Sequence, residues 1–210
     1  MRVRWRCIGL LCLMLSVRDA RAELSFEGRN RFFLSGLRAP VAIVNEGDAP
    51  ALVQVSLAWG EGDADVDRVL PIAVSKPLLR IAPGGRASTE LFYQGAGLPQ
   101  DRESYFVLSV LDVPPAARQE NNLQLAYRHH FKLFYRPALA STPDEAIASL
   151  VWEMSTEAEG GRVTAHNPSP YYLTLSEVAL VDAAGGDCGP AVEHLMLPPF
   201  SSQPLAASDC

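Results

Sequence analysis

The feature that most constrains the fold is a succession of short apolar runs, each bounded by glycine, proline, asparagine or aspartate. Apolar and polar residues alternate within the runs, as in β-strands with one buried face. Residues 23–136 carry seven or eight such runs, at the spacing of an immunoglobulin-like β-sandwich. The main predicted strands are Arg31–Leu34, Val41–Asn45, Leu52–Trp59, Val69–Val74, Ala87–Tyr93, Tyr105–Val113 and Asn121–Pro137.

A second strand-rich segment follows a proline-containing linker at residues 137–145. Residues 146–210 carry four or five predicted strands, fewer than a complete sandwich contains. Four of them are Leu150–Met154, Arg162–His166, Tyr171–Val181 and Val192–Leu197. The sequence therefore predicts an all-β protein with two immunoglobulin-like domains, 23–136 and 146–210, of which the second is incomplete.

The N-terminal residues have the pattern of an export signal. Arg2, Arg4 and Arg6 precede the apolar run Cys7–Val17, which is too short to span a bilayer. Ala20-Arg21-Ala22 then matches the small residues of a signal-peptidase site. We predict that residues 1–22 are a cleaved signal peptide; the alternative is an uncleaved membrane anchor.

Removal of residues 1–22 makes the chain strongly acidic. The full sequence has 18 basic and 24 acidic residues. Five arginines and one aspartate leave with the signal, so 13 basic and 23 acidic residues remain, a net charge near −10. This balance argues against nucleic acid as the main partner.

Two cysteines remain after the predicted cleavage, Cys188 and Cys210. In an oxidising compartment they can form one bridge or stay as free thiols, and the sequence does not decide between these. Either reading is favoured over metal binding, because neither CxxC nor HExxH occurs.

No catalytic motif is present: the sequence has no P-loop, no GxSxG and no GxGxxG before a helix. His129 and His130 are adjacent, so on a strand they face opposite sides and fit one metal poorly. Asp63, Asp65 and Asp67 lack the glycine and downstream glutamate of a calcium loop. We therefore predict no enzyme activity, no metal and no cofactor.

One strand combines an apolar stripe with positive charge. Leu123, Leu125 and Tyr127 alternate with polar residues within Asn121–Pro137. The cationic or titratable residues that follow are Arg128, His129, His130, Lys132 and Arg136. This combination suggests a site for an extended apolar partner that is anionic at one end.

Strict alternation places Lys132 on the face opposite Tyr127. If both contact one partner from the same face, the strand needs a bulge or bend near His129 and His130. The alternative is that Lys132 acts from the other face of the sheet.

Several long motifs, in order, resemble the PapD-like periplasmic chaperones of the chaperone–usher pilus pathway. They are AWGEGD, KPLLRIAPGG, LPQDRESYFVLSVLDVPP, NNLQLAYRHHFKLFYRP, HNPSPYYLTL and LPPFSS. The resemblance implies two immunoglobulin-like domains set at an angle around a cleft. It also implies binding of pilus subunits that lack one strand, which the chaperone lends from its own sheet before an outer-membrane usher assembles the pilus.

The resemblance also assigns roles to individual residues. By position in the motifs, Leu123, Leu125 and Tyr127 belong to the donated strand. Arg31 and Lys132 match the cleft cations that hold the C-terminal carboxylate of the subunit. Glu103 and Arg136 match two members of an interdomain charge cluster.

The sequence also departs from this family at several points. Ser75-Lys76-Pro77 stands where the family often has two prolines, and the loop from Pro115 to Asn121 is short, as in chaperones of rod-like pili. The chain ends about two strands early, which predicts an exposed edge in the second domain. The alternatives to a chaperone are a secreted structural or adhesive subunit and, without a visible triad or metal set, a secreted hydrolase.

Overall fold

A computed structural model describes residues 24–60, 69–113, 125–157 and 160–207. The predicted signal peptide (1–22), Leu123, the acidic positions Asp63, Asp65 and Asp67, and Cys210 lie outside these ranges. In the part of the chain described, no helix has the length and apolar character needed to cross a lipid bilayer.

The first domain is a sandwich of two sheets. Its strands are β1 Leu24–Ser25, β2 Arg31–Leu34, β3 Arg38–Asn45, β4 Ala51–Trp59, β5 Ile72–Val74, β6 Leu78–Ile81, β7 Arg86–Tyr93, β8 Ser104–Val113 and β9 Tyr127–Tyr135. The five-stranded sheet has the order β2-β9-β8-β4-β6, and the four-stranded sheet has the order β1-β3-β7-β5. Neighbouring strands are antiparallel except β2 and β9, which are parallel.

The core of this domain follows from the predicted alternation. In β8 every second residue from Ser104 to Val110 is buried, and Phe106, Leu108 and Val110 are fully inaccessible. Alternate residues of β4, in the same sheet, and of β3, in the facing sheet, pack with them in one core, as in other sandwiches. Alternation along each strand is therefore sufficient to bring the apolar side chains together between the sheets.

The second domain has five described strands in two small sheets. They are β10 Val151–Glu157, β11 Gly160–Asn167, β12 Leu173–Val178, β13 Val192–Leu197 and β14 Ser201–Ala207. The sheet orders are β10-β11-β14 and β12-β13. A core around Ala165, Tyr171, Leu173 and Leu197 also takes in Ala146, which precedes β10. The all-β prediction, with two immunoglobulin-like domains, is confirmed.

Part of the predicted linker is a short helix, α1 Pro143–Ala148. Thr142 and Glu145 form a capping box: the threonine hydroxyl accepts from the Glu145 N–H, and the Glu145 carboxylate accepts from the Thr142 N–H at 2.7 Å. Hydrogen bonds from Thr142, its backbone N–H first, lower the pKa of Glu145. The T-x-x-E spacing is a helix start signal, which the prediction of a plain linker did not take into account.

Two further differences concern strands next to prolines. β6 lies between Pro77 and Pro83 and is not among the predicted strands. β14 contains Pro204 and pairs, among the described strands, with β11 alone. Both are the last strands of their sheets as described, and such positions tolerate proline because one side of the strand needs no ladder bond.

Candidate functional site

Two cations lie side by side on the five-stranded sheet. Arg31 of β2 and Lys132 of β9 are register partners in the parallel pair, so their side chains emerge on the same face. Lys132 is half-buried and Arg31 is exposed. Partial burial, and then the positive charge of Arg31, lower the pKa of Lys132.

The two cations have no carboxylate partner among the described residues, since the ion pairs found there all involve other side chains. Two adjacent positive charges repel each other until an anion lies between them. A carboxylate at this position would gain charge-assisted hydrogen bonds and relieve that repulsion. The geometry therefore suits a single anionic group.

Arg31 also lines a cleft between the two domains. The cleft has a volume of about 700 Å³. Its walls are formed by the first domain, by α1 with the residues next to it, and by β12: Arg31, Phe33, Arg136, Pro143, Ile147, Leu150 and residues 171–177. The lining is mostly apolar, with Arg31 and Arg136 at the first-domain wall and Glu177 at the β12 wall, so a negative end of an apolar segment would be favoured on the first-domain side.

Beside the cations, β9 has an open edge. β9 pairs with β8 from Tyr127 to Tyr135, but with β2 only from Lys132 to Tyr135. No other described strand pairs with residues 127–131, so their backbone groups on that side can bond to another chain. Leu125 and Tyr127 are 59% and 60% exposed at the start of this edge. These exposures are consistent with the expected donor strand; Leu123 lies outside the described residues.

β9 has no bulge at His129 and His130, so the register favours the alternative in which Lys132 acts from the other face of the sheet. Each residue of β9 from Tyr127 to Tyr135 has one successive partner on β8, without an insertion. Lys132 therefore lies on the outer face of the sheet, whereas Tyr127 lies on the face that packs against the core. This is the arrangement that strict alternation predicts. The two histidines face opposite sides as predicted: His129 contacts the ring of Phe26, while His130 Nδ1 lies 3.0 Å from Ser109 Oγ.

Glu103 and Arg136 are brought together at the junction of the domains. Arg136 Nε donates to Glu103 Oε1 at 2.6 Å, and the N–H of Tyr172 donates to Glu103 Oε2 at 2.8 Å. The N–H of Glu103 donates in turn to the Pro170 carbonyl at 2.9 Å. Glu103 is 3% exposed, so one buried carboxylate joins Arg136 to the second domain.

Aromatic residues complete this junction, and sequence reasoning gave them no role. The Tyr172 ring lies 5.7 Å from that of Tyr105 and 5.4 Å from that of Phe134. The Arg136 guanidinium lies over Phe33 at 4.4 Å and over Tyr171 at 5.1 Å. Two adjacent tyrosines after the NPSP turn were the available signal, because such a pair on a turn suits an interface.

A hydrogen-bonded serine, histidine and glutamate lie on the second domain. His166 Nδ1 is 2.7 Å from Ser202 Oγ, and its Nε2 is 3.0 Å from Glu153 Oε2. The three residues come from β11, β14 and β10 and lie on the sheet surface, away from the lining of the cleft. The network links the three strands. Elsewhere in this domain, Cys188 is buried and disulfide-bonded.

Comparison with known proteins gives two adjoining family matches. Residues 35–140 match the model for the pili and flagellar-assembly chaperone PapD, N-terminal domain. Residues 145–209 match the model for the pili assembly chaperone PapD, C-terminal domain. The gap between the two matches falls in the linker that contains the start of α1.

Individual relatives are also similar over most of the chain. The chaperone protein FimB/FhaD of Bordetella pertussis is 36% identical, over 96% of this chain and 87% of its own length. The solved structure of the YadV chaperone superimposes with a TM-score of 0.70 at 32% identity, covering 88% of this chain and 85% of that one. The Salmonella enterica SafB chaperone, solved in complex with the SafA pilin, gives a TM-score of 0.68 at 25% identity, covering 88% and 83%.

Proposed function

The chain belongs to the PapD family of pilus-assembly chaperones, and we propose that it binds, folds and caps pilus subunits in the periplasm and delivers them to an outer-membrane usher. The observation that carries this proposal is the position of Arg31 and Lys132 where the open edge of β9 ends. A relative solved with a pilin favours this function over that of an adhesive subunit.

In this proposal the two cations hold the C-terminal carboxylate of the subunit. Charge-assisted hydrogen bonds to a carboxylate are roughly twice as strong as neutral ones. They would also fix the register of the bound strand, because a one-residue slip moves every side chain to the other face. The lowered pKa of Lys132 supports this role, because its ammonium group is partly buried and lies beside the positive charge of Arg31.

The edge of β9 supplies the donated strand. Leu125 and Tyr127, with Leu123 before them, would enter the apolar groove that a missing strand leaves in the subunit. An unfinished sandwich exposes both an unpaired edge and apolar core, and each promotes aggregation. Backbone hydrogen bonds to β9 satisfy the edge and alternate apolar side chains cover the core, so one strand removes both hazards.

The remaining assignments complete the proposal. Residues 1–22 direct export and are removed, 23–136 form the subunit-binding domain, 137–145 the linker, and 146–210 the second domain. The bonds from Glu103 to Arg136 and Tyr172 hold the two domains at the angle that shapes the cleft. No catalytic step is part of this function.

The test is capture of a pilus subunit from the same gene cluster, co-expressed in the periplasm and co-purified on a tag. Arg31→Ala and Lys132→Ala are expected to abolish capture while leaving the circular dichroism spectrum unchanged. Arg80→Ala is the matched control, because Arg80 is an exposed cation of the same sheet on the far strand β6. Capture that is unchanged in both cleft variants would contradict the proposal.

A further inference from the structure

The outer face of the five-stranded sheet is free of carboxylates in its described strands. Pairing register and alternation place one set of side chains from all five strands on this face. They are Arg31, Phe33, Leu52, Gln54, Ser56, Ala58, Leu78, Arg80, Tyr105, Val107, Ser109, Leu111, Val113, Arg128, His130, Lys132 and Phe134. Acidic residues outnumber basic ones in the chain, 24 to 18, so the net charge of this face is opposite in sign to that of the whole chain.

The positive charge is concentrated along the open edge of β9. The cations Arg128 and Lys132 lie on either side of His130 on the outer face, and Arg31 continues the row on β2. Arg128 and His130 lie on the part of β9 that β2 does not cover. A strand that pairs there would place its own outward side chains directly beside them, at the roughly 5 Å spacing of cross-strand neighbours.

The face also has room for long side chains beside this row. Behind it, small residues of β4 and β8 line a depression of about 730 Å³: Ser56, Ala58, Val107 and Ser109. Ser109 holds the His130 ring through its Nδ1 atom. A glutamate on the bound strand could therefore reach Arg128 or His130 without a steric clash from the strands behind.

The direction of the bound strand follows from the ends of the site. The open edge leads toward Lys132, where β2 begins. A strand with its terminal carboxylate at Arg31 and Lys132 must run toward them, and thus parallel to β9. Side chains two residues apart, close to its C terminus, then fall beside His130 and Arg128 on the outer face.

We propose that Arg128 and His130 select pilus subunits whose C-terminal strand carries acidic side chains at these two outward positions. The inference rests on the proposed function and deepens it. The inward side chains of the subunit's strand belong to its apolar groove, whereas the outward side chains would contact Arg128 and His130 and be selected by their charge. An acidic pair would be favoured, and a basic pair would be rejected by repulsion from the same row.

The experiment measures binding of synthetic peptides of about ten residues, with a free C terminus and valine at the inward positions. One peptide has glutamate and the other lysine at the two outward positions. An opposite-charge cross-strand pair with Arg128 changes affinity by up to about fivefold, so we expect the wild-type protein to prefer the glutamate peptide by about that factor. Arg128→Glu should remove or reverse this preference; Arg80→Glu, on the far strand of the same face, should keep it.

The outcomes separate the two proposals. Equal affinity of the wild-type protein for both free-acid peptides, or a preference unaffected by Arg128→Glu, overturns the charge selection while leaving the chaperone function standing. Loss of binding when the peptide terminus is amidated supports the carboxylate site. Failure of the wild-type protein to bind either free-acid peptide contradicts the proposed function, and the selection falls with it.

Discussion

Lys132 lies directly beside Arg31 in the parallel pairing of β9 and β2, so the fold holds two like charges on neighbouring strands. Such a contact disfavours the ligand-free state. It persists here without a carboxylate partner in the described part of the chain. We interpret this arrangement as a site whose favourable partner is the anion of another molecule.

Replacement of Lys132 by methionine should therefore stabilise the ligand-free protein while abolishing subunit capture. The pKa of Lys132 is lowered on folding, so the unfolded chain binds more protons between the lowered and the ordinary value. The destabilisation is complete below the lowered pKa and disappears as the pH rises through it toward about 10.5. Urea unfolding at neutral and at alkaline pH should show a stability advantage of Lys132→Met that shrinks at alkaline pH. An advantage that is independent of pH would indicate packing of the methionine alone.

Glu103→Gln should loosen the junction between the domains. The amide keeps the shape of the side chain but removes the charge that Arg136 faces at 2.6 Å, and we expect a loss of about 2–3 kcal/mol. Chemical denaturation measures the loss, and small-angle scattering measures the distribution of domain angles. Glu90→Gln, an exposed carboxylate on β7, is the control and should change stability by less than about 0.5 kcal/mol. Equal effects of the two variants would exclude a special role for Glu103.

Each domain contains a buried asparagine at the end of an eight-residue strand, Asn45 of β3 and Asn167 of β11. The Asn45 amide donates to the carbonyls of Ala49, Ile81 and Ala82. The Asn167 amide donates in the same way to three carbonyls, and each side-chain oxygen accepts the N–H two residues later. The two domains thus close corresponding turns with the same chemistry.

Substitution of either asparagine by aspartate should be strongly destabilising. A carboxylate would face three carbonyl oxygens in a buried site, and we expect a loss of about 3 kcal/mol or more at neutral pH. Protonation restores one donor, so the loss should be smaller in mild acid. Asn30→Asp, at an exposed position, is the matched control. Unfolding monitored by fluorescence at two pH values tests this expectation, and a tolerated Asn167→Asp would contradict it.

The sequence predicted the elements that depend on local alternation. β2 was predicted with its observed bounds, Arg31–Leu34, and β8 and β4 within one residue at each end. The strand pattern needs no tertiary information, because one face of each strand is buried. The edge strand β6 was missed because four residues next to a proline are too short a signal of period two.

The candidate site could be predicted only in part, because it depends on pairing between distant segments. The motifs located Lys132, but whether it shared a face with Tyr127 depended on an unbroken register over nine residues of β9. The contact of Tyr172 with Phe134 depends on how the domains are arranged, which neither strand specifies alone. The charges of Glu103 and Arg136 were located through the resemblance, since 33 residues separate them in sequence.

Amide hydrogen exchange along β9, with and without a bound pilus subunit, tests the donated strand most directly. Alternate amides between Leu125 and Phe131 face away from β8 and should exchange quickly in the free protein. We predict that they become protected when the wild-type protein binds the subunit, and that Lys132→Ala loses this protection. Subunit binding that leaves these amides unprotected, with protection appearing elsewhere on the surface, would contradict the proposed function of β9.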